Sequence, residues 1–112
     1  RDSKTKREQI KVPRVLKEVA KGFAVSVKDL KGPRRIKELA LARQVAMYIL
    51  REEFAYKLEE IAKFLNREDH TTVLHAMNKV KSKMMIQDGF NRQVAQIITK
   101  IHEAAAINDE TE

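Results

Sequence analysis

No cysteine occurs among these 112 residues, which excludes disulfides and thiolate metal sites and fits a reducing compartment. Tryptophan is absent too, and there are only two Tyr and four Phe, so aliphatic side chains must fill any core. Glycine and proline are scarce, at three and two, while Leu, Ala, Lys and Glu are plentiful. That balance favours helices over strands. No apolar run approaches the roughly 18 to 20 residues of a membrane span, and no secretory leader is visible. The chain opens on Arg1 with no initiator Met, which reads as a piece of something longer.

What is present points in one direction. Hydrophobic residues make up 43% of the chain, enough for one modest core in one domain. Lys and Arg number 23 against 16 Asp and Glu, a formal net charge of +7. A basic surplus of this kind suits a polyanionic partner, whether nucleic acid or an acidic membrane surface. A merely soluble, charged helical protein would share it.

Residues 1–12 are polar and basic without helical periodicity, a linker or junction segment. A domain spans 13–107, and an acidic, disordered tail covers 108–112. Pro13 suits a first helical position. Val15, Leu16, Val19 and Ala20 follow at helical spacing, and Gly22 stops the helix. Ser26 caps a short turn from Val27 to Leu30. The segment Lys31-Gly32-Pro33-Arg34-Arg35 is a basic loop that glycine and proline keep from being helical. A long helix runs from about Ile36 to Phe54 with Leu39, Ala42, Ala46, Ile49 and Leu50 inward. A shorter one spans Lys57 to Leu65, using Leu58, Ile61, Ala62 and Leu65. Asn66-Arg67-Glu68 makes a tight turn. The next helix runs from an Asp69 cap to about Gln87, with Val73, Met77, Val80 and Met84 on one face. Asp88-Gly89 breaks it. A final amphipathic helix, Phe90 to Ala106, uses Val94, Ile97, Ile98, Ile101 and Ala105. His102 lies beside that stripe as a structural residue. No strand and no internal repeat is expected, so the fold class is all-α.

Lys57 to Gln87 therefore reads as short helix, tight turn, longer helix, the helix-turn-helix plan. The second helix opens on Asp69-His70-Thr71-Thr72-Val73-Leu74-His75-Ala76. Asp69 can accept the free N–H groups of the first turn. His70, Thr71 and Thr72 then stand at the tip. Thr offers a hydroxyl for hydrogen bonds and a methyl for thymine, and His offers a ring N–H donor. A helix entering a major groove tip-first needs this layout. An Asp cap before two Thr is also a common structural start, and an ordinary helical hairpin has the same outline. Three features favour the nucleic-acid reading, the first being that the polar tip carries no large apolar residue. The outer face of the same helix continues with His75, Lys79, Ser82 and Lys83, suited to phosphates. Between Lys28 and Arg51 lie seven basic and two acidic groups, a local excess centred on the loop. An arginine on such a loop can enter a narrow A·T-rich minor groove, where the potential is most negative. Arg35 and its neighbour Arg34 are the candidates.

Catalysis has little support. His70 and His75 are five residues apart, about 140° around a helix, so they share no metal-binding face. Asp69 with His70 has no nucleophile partner. No Walker-type glycine loop or dinucleotide fingerprint is present. The four Met read as core filler. The chain is expected to be no enzyme and to need no metal or cofactor.

The eight residues from Asp69 to Ala76 closely resemble the hallmark of the C-terminal DNA-binding domain of the DnaA family, the bacterial chromosomal replication initiators. The similarity extends over roughly Ile10 to Ile101. It includes Val27-Lys28-Asp29-Leu30, the basic loop, Ala42-Arg43-Gln44-Val45-Ala46-Met47 and Leu58-Glu59-Glu60-Ile61. The resemblance implies sequence-specific binding to short asymmetric boxes at the replication origin. It implies base contacts in the major groove from Asp69, His70, Thr71 and Thr72, and a minor-groove contact from Arg35. Lys37, Arg43, Gln44, Arg51, His75 and Lys79 fall at or near backbone-contact positions. Arg34, Leu58, Glu59 and Arg67 are further candidates. ATP belongs, in that family, to an AAA-type module that nothing here resembles. The implied partners are double-stranded DNA and the remainder of a full-length initiator, with this domain a monomer in a bacterial cytoplasm, nucleoid-associated.

The sequence departs from the family pattern in four places. Arg67-Glu68 stands where Gly-Arg is usual before the Asp, moving the positive charge back one position. Ala42 replaces a frequent Pro, and Ala62 a usual Gly. Glu59 replaces a residue that is often apolar and can pack on a thymine methyl. Two alternatives stand beside the DNA-box reading. One is a repressor that binds palindromes as a symmetric dimer. The other is an interaction module whose last helix docks a partner or an anionic lipid surface.

Overall fold

The helix Lys37–Glu52 (α3) is the central element, and the rest of the molecule is arranged around it. In a computed structural model the backbone of residues 2–67 and 69–111 is described, with side chains for 12–67 and 69–104. The described residues form six helices and no strand: Asp2–Gly22 (α1), Val27–Lys31 (α2), α3, Leu58–Phe64 (α4), His70–Ile86 (α5) and Asp88–Thr111 (α6).

Helix α3 buries Leu39, Ala42, Val45, Ala46, Met47, Ile49 and Leu50. A helix covered on so many sides lies inside the protein rather than on its surface. It packs on α1, α2, α4 and α5. From α1 come Val12, Val15, Leu16, Val19 and Ala20; from α4, Ile61 and Ala62; from α5, Val73, Ala76, Met77 and Val80. Helix α6 lays Phe90, Val94, Ile97 and Ile101 against α1 and α5. The inward stripes expected from helical spacing are thus the observed ones, with Leu58, Met84 and Ile98 half-buried at the edge. Ala105 lies outside the described side chains.

Three helix ends turn on residues with positive φ: Ala24 at 57°, Ala55 at 58° and Asn66 at 55°. After α1, Val25 N–H donates to Ala20 C=O at 2.9 Å and Ala24 N–H to Lys21 C=O at 3.3 Å. After α4, Arg67 N–H donates to Ala62 C=O at 2.7 Å and Asn66 N–H to Lys63 C=O at 3.1 Å. Both are Schellman closures, in which a left-handed residue lets the chain bond back to the last turn. Asparagine tolerates that conformation better than other side chains, so Asn66 suits the turn between α4 and α5.

Several boundaries differ from the sequence pattern. Helix α1 begins at Asp2 rather than Pro13, and Pro13 sits inside it. Its upstream residues are mostly Lys, Arg, Glu and Gln, good helix formers without an apolar stripe, so periodicity gave no sign of them. Helix α6 starts at Asp88, and Gly89 lies in its first turn; the break falls at Gln87, whose backbone is extended (φ −116°, ψ 106°). An acid in the first turn favours such a start. At the other end α6 continues to Thr111, beyond the boundary expected at 107.

Candidate nucleic-acid interface

Asp69 sets the outer end of α5. Its Oδ1 accepts the backbone N–H of Thr71 at 2.9 Å, and its carbonyl accepts that of Thr72 at 3.1 Å. Hydrogen bonding from Thr71, the backbone N–H first and the side chain second, holds the Asp69 carboxyl below the usual carboxylate range. Asp69, His70, Thr71 and Thr72 are all exposed, and the first buried residue is Val73. The helix thus presents four polar groups at its tip before any side chain turns inward. Leu74, 44% exposed, adds an apolar group beside them.

A groove of about 530 Å³ runs between α3 and α5. Gln44 from α3, Arg67 from the turn, and Thr72, His75 and Lys79 from α5 line it. On α5 these positions recur at three- and four-residue spacing, which stacks them on one face. Asn78 also lines the groove; it lies three residues past His75, and that spacing was the signal for it. Arg51 is seven residues beyond Gln44, on the same face of α3 about two turns on. It is exposed, and its Nη1 donates to Tyr56 C=O at 2.9 Å.

The loop between α2 and α3 carries Arg34 and Arg35, both exposed, and Lys37 is exposed at the start of α3. Ser26 Oγ accepts Asp29 N–H at 3.0 Å to begin α2. Arg34 leans back toward this helix, its Nη1 3.9 Å from Asp29 Oδ2. Arg35 lies one residue further out. Glu59 is exposed in the first turn of α4, and Leu58 is half-buried against the core. Glu68 lies outside the described residues.

One expected phosphate contact is placed differently. Arg43 is 7% exposed. Its Nε donates to Leu30 C=O at 3.0 Å, and its Nη2 to Asp29 C=O and Gly32 C=O, each at 2.9 Å. Burial and the nearby Arg67 charge lower its pKa, and Asp29 works against them. The guanidinium closes the carbonyl end of α2, where the last turn leaves acceptors unpaired. Arg43 is therefore a clamp between α2 and α3, and only its edge borders the groove. Lys83 is likewise drawn aside, half-buried with Nζ 5.2 Å from the Phe90 ring centre.

Arg67 and Asn66 link the two exposed regions. Arg67 Nη2 donates to Gly32 C=O at 2.8 Å, and Asn66 Nδ2 donates to Lys31 C=O at 3.2 Å. The turn before the polar tip of α5 is thus tied to the residues that open the basic loop. Sequence pattern placed Asn66 in the turn but gave no sign of this partner, which is 35 residues away. His102 joins Glu53 at 3.1 Å and packs near Phe54, fastening α6 to the end of α3. The described residues contain no cluster of three or more His, Cys, Asp or Glu placed to hold a metal. None of their helices is long and apolar enough to cross a membrane.

A short helix, a tight turn and a longer helix with an exposed polar tip, flanked by a cationic loop, define a helix-turn-helix protein. Residues 3–80 match the family described as bacterial dnaA protein helix-turn-helix, and the chain belongs to that family. It is 39% identical over 104 residues to the chromosomal replication initiator protein DnaA of Thermomicrobium roseum, covering 93% of this chain and 22% of that protein. It is 38% identical over 89 residues to the DnaA of Lacticaseibacillus casei, covering 80% and 20%. The chain thus spans about a fifth of these relatives' length. Among solved structures, a crystal structure of a DNA replication initiation factor superposes with a TM-score of 0.80 at 31% identity, over 93% of this chain and 32% of the other. A replication initiator DnaA bound to AMPPCP and single-stranded DNA superposes at 0.71 with 33% identity, over 89% and 31%.

Proposed function

We propose that this chain binds double-stranded DNA sequence-specifically, as the origin-reading part of a replication initiator. Asp69, His70, Thr71 and Thr72 read base edges in the major groove. Arg35 enters the adjacent minor groove. Lys37, Gln44, Arg51, His75 and Lys79 hold the phosphates, and these contacts supply most of the affinity. The observation that carries the reading is the exposed, capped polar tip of α5 beside a cationic loop tied to it through Arg67 and Asn66. Arg35 is preferred to Arg34 because Arg34 is turned toward Asp29.

One copy reads an asymmetric box, and no cofactor takes part. The reading as an interaction module is weakened because the apolar face of α6, with Val94, Ile97 and Ile101, is already buried by the chain itself. Any ATP-binding module would belong to the rest of the initiator.

Selection from random duplexes at fixed ionic strength tests the proposal. A single asymmetric box should emerge. Thr71→Ala should then cost about 1–3 kcal/mol on that box and far less on random DNA. Equal losses on both DNAs would count against base readout. A palindromic product bound by two copies would favour the dimeric repressor.

A further inference from the structure

We infer that Arg67 and Asn66 form a clasp that fixes the spacing between the two DNA-reading parts, with Arg67 a positioning residue and not a phosphate contact. The inference rests on the two-groove reading above. Gly32 C=O accepts two guanidinium groups at once, Arg43 Nη2 at 2.9 Å and Arg67 Nη2 at 2.8 Å. Lys31 C=O accepts Asn66 Nδ2. Consecutive carbonyls at the root of the loop are therefore tied to the core helix α3 and to the turn before Asp69.

Geometry makes this tie consequential. Arg35 lies three residues beyond Gly32, and an extended chain spans at most about 3.3–3.6 Å per residue. Its backbone therefore stays within about 11 Å of the anchored carbonyl. Pro33 narrows this further by fixing its own φ and restricting Gly32. At the other end, Arg67 is two residues ahead of Asp69, and the turn is closed by the bonds from Arg67 and Asn66 N–H to Ala62 and Lys63. One hydrogen-bonded bracket therefore holds the roots of both readers.

A duplex presents its grooves at a fixed separation. A loop free to wander would have to be ordered on binding, at a cost in conformational entropy. The clasp meets that cost during folding. It also gives the displaced arginine a use. With the positive charge at position 67, the guanidinium turns back to Gly32 while still bordering the groove of Gln44, His75 and Lys79. The competing role, a phosphate contact in that groove, differs in its ionic signature.

A double-mutant cycle with salt titration separates the two. Binding of the whole chain to its selected box would be measured for wild type, Arg67→Ala, Arg35→Ala and the pair, over a range of KCl. Arg67→Ala should weaken binding roughly tenfold, about the cost of ordering one loop residue that the bond no longer holds in place. The slope of log K against log salt should stay unchanged. In the Arg35→Ala background most of the Arg67→Ala effect should vanish, because a loop without its reader gains little from being held. Additive losses with a slope reduced by about 0.9 would make Arg67 a phosphate contact and overturn the clasp. Asn66→Gly keeps the left-handed turn and removes only the amide tether. It should show the same coupling to Arg35 more weakly, and it carries the test if Arg67→Ala does not fold. A wild-type chain with no preference among duplexes would instead overturn the two-groove reading itself.

Discussion

Replacing Arg43 with alanine should unfold the protein more than it should weaken DNA binding. The guanidinium makes three hydrogen bonds to carbonyls of Asp29, Leu30 and Gly32, and the residue is 7% exposed. Hydrogen bonds involving a charged group contribute about 1.5–3 kcal/mol each. The three share one side chain and are not additive, and two are only partly buried. The bond to Leu30 is buried and counts most. Truncation also leaves a void where the aliphatic stem packed. Together these give a loss of about 3 kcal/mol. For a domain of this size that corresponds to a fall in Tm of roughly 12 °C. Thermal and urea denaturation would measure it, followed by DNA binding well below the new Tm. Arg43→Lys should recover little, since a point charge cannot reproduce the planar fork. An Arg43→Ala chain with wild-type Tm and urea midpoint, but with weak binding and a reduced salt slope, would refute the reasoning. It would put the guanidinium on a phosphate.

Other outcomes follow from the same geometry. Ala24→Gly and Ala55→Gly relieve positive φ values of 57° and 58°, and each should stabilise by about 0.5–1 kcal/mol in urea unfolding; a loss of stability would show that the methyl packs usefully. Lys79→Ala should weaken binding to all duplexes and lower the salt slope by about 0.9; an unchanged slope would remove it from the phosphate contacts. Asp69 has a lowered pKa because its ionised form accepts Thr71 N–H. Its contribution to stability is therefore present above the ordinary carboxylate pKa and is lost as pH falls through the lowered value. Asp69→Asn keeps a capping oxygen but does not titrate, so the stability difference between the two chains should change chiefly in that acidic window. A difference that stayed constant through that window would contradict the assignment.

Much of the fold was legible because it rests on local physics. Helical spacing placed Val15, Leu16 and Val19 inward on α1 and Val94, Ile97 and Ile101 inward on α6, and each is buried. Asp69 and Ser26 were legible as caps because short side chains with acceptors suit that position. Boundaries failed where local signals were weak or competing. Residues 2–12 offered no apolar stripe, and Asp88-Gly89 carried a turn signal one residue after the true break at Gln87.

Arg43 marks where pattern reading stops within the site. It lies four residues after Leu39 and three before Ala46, on the inner stripe of α3. Helical spacing alone puts that stripe in the core, whereas the family resemblance implies a phosphate contact for Arg43. The conflict is settled by partners eleven to fourteen residues upstream, the carbonyls at the end of α2. A buried charge must be hydrogen-bonded to remain charged, and these acceptors exist only once α2 has packed across α3. The same holds for Arg67, whose acceptor Gly32 is 35 residues distant. Residue type therefore located the cations of this protein, but long-range carbonyls decide which of them hold the loop in place and which remain exposed to meet a polyanion.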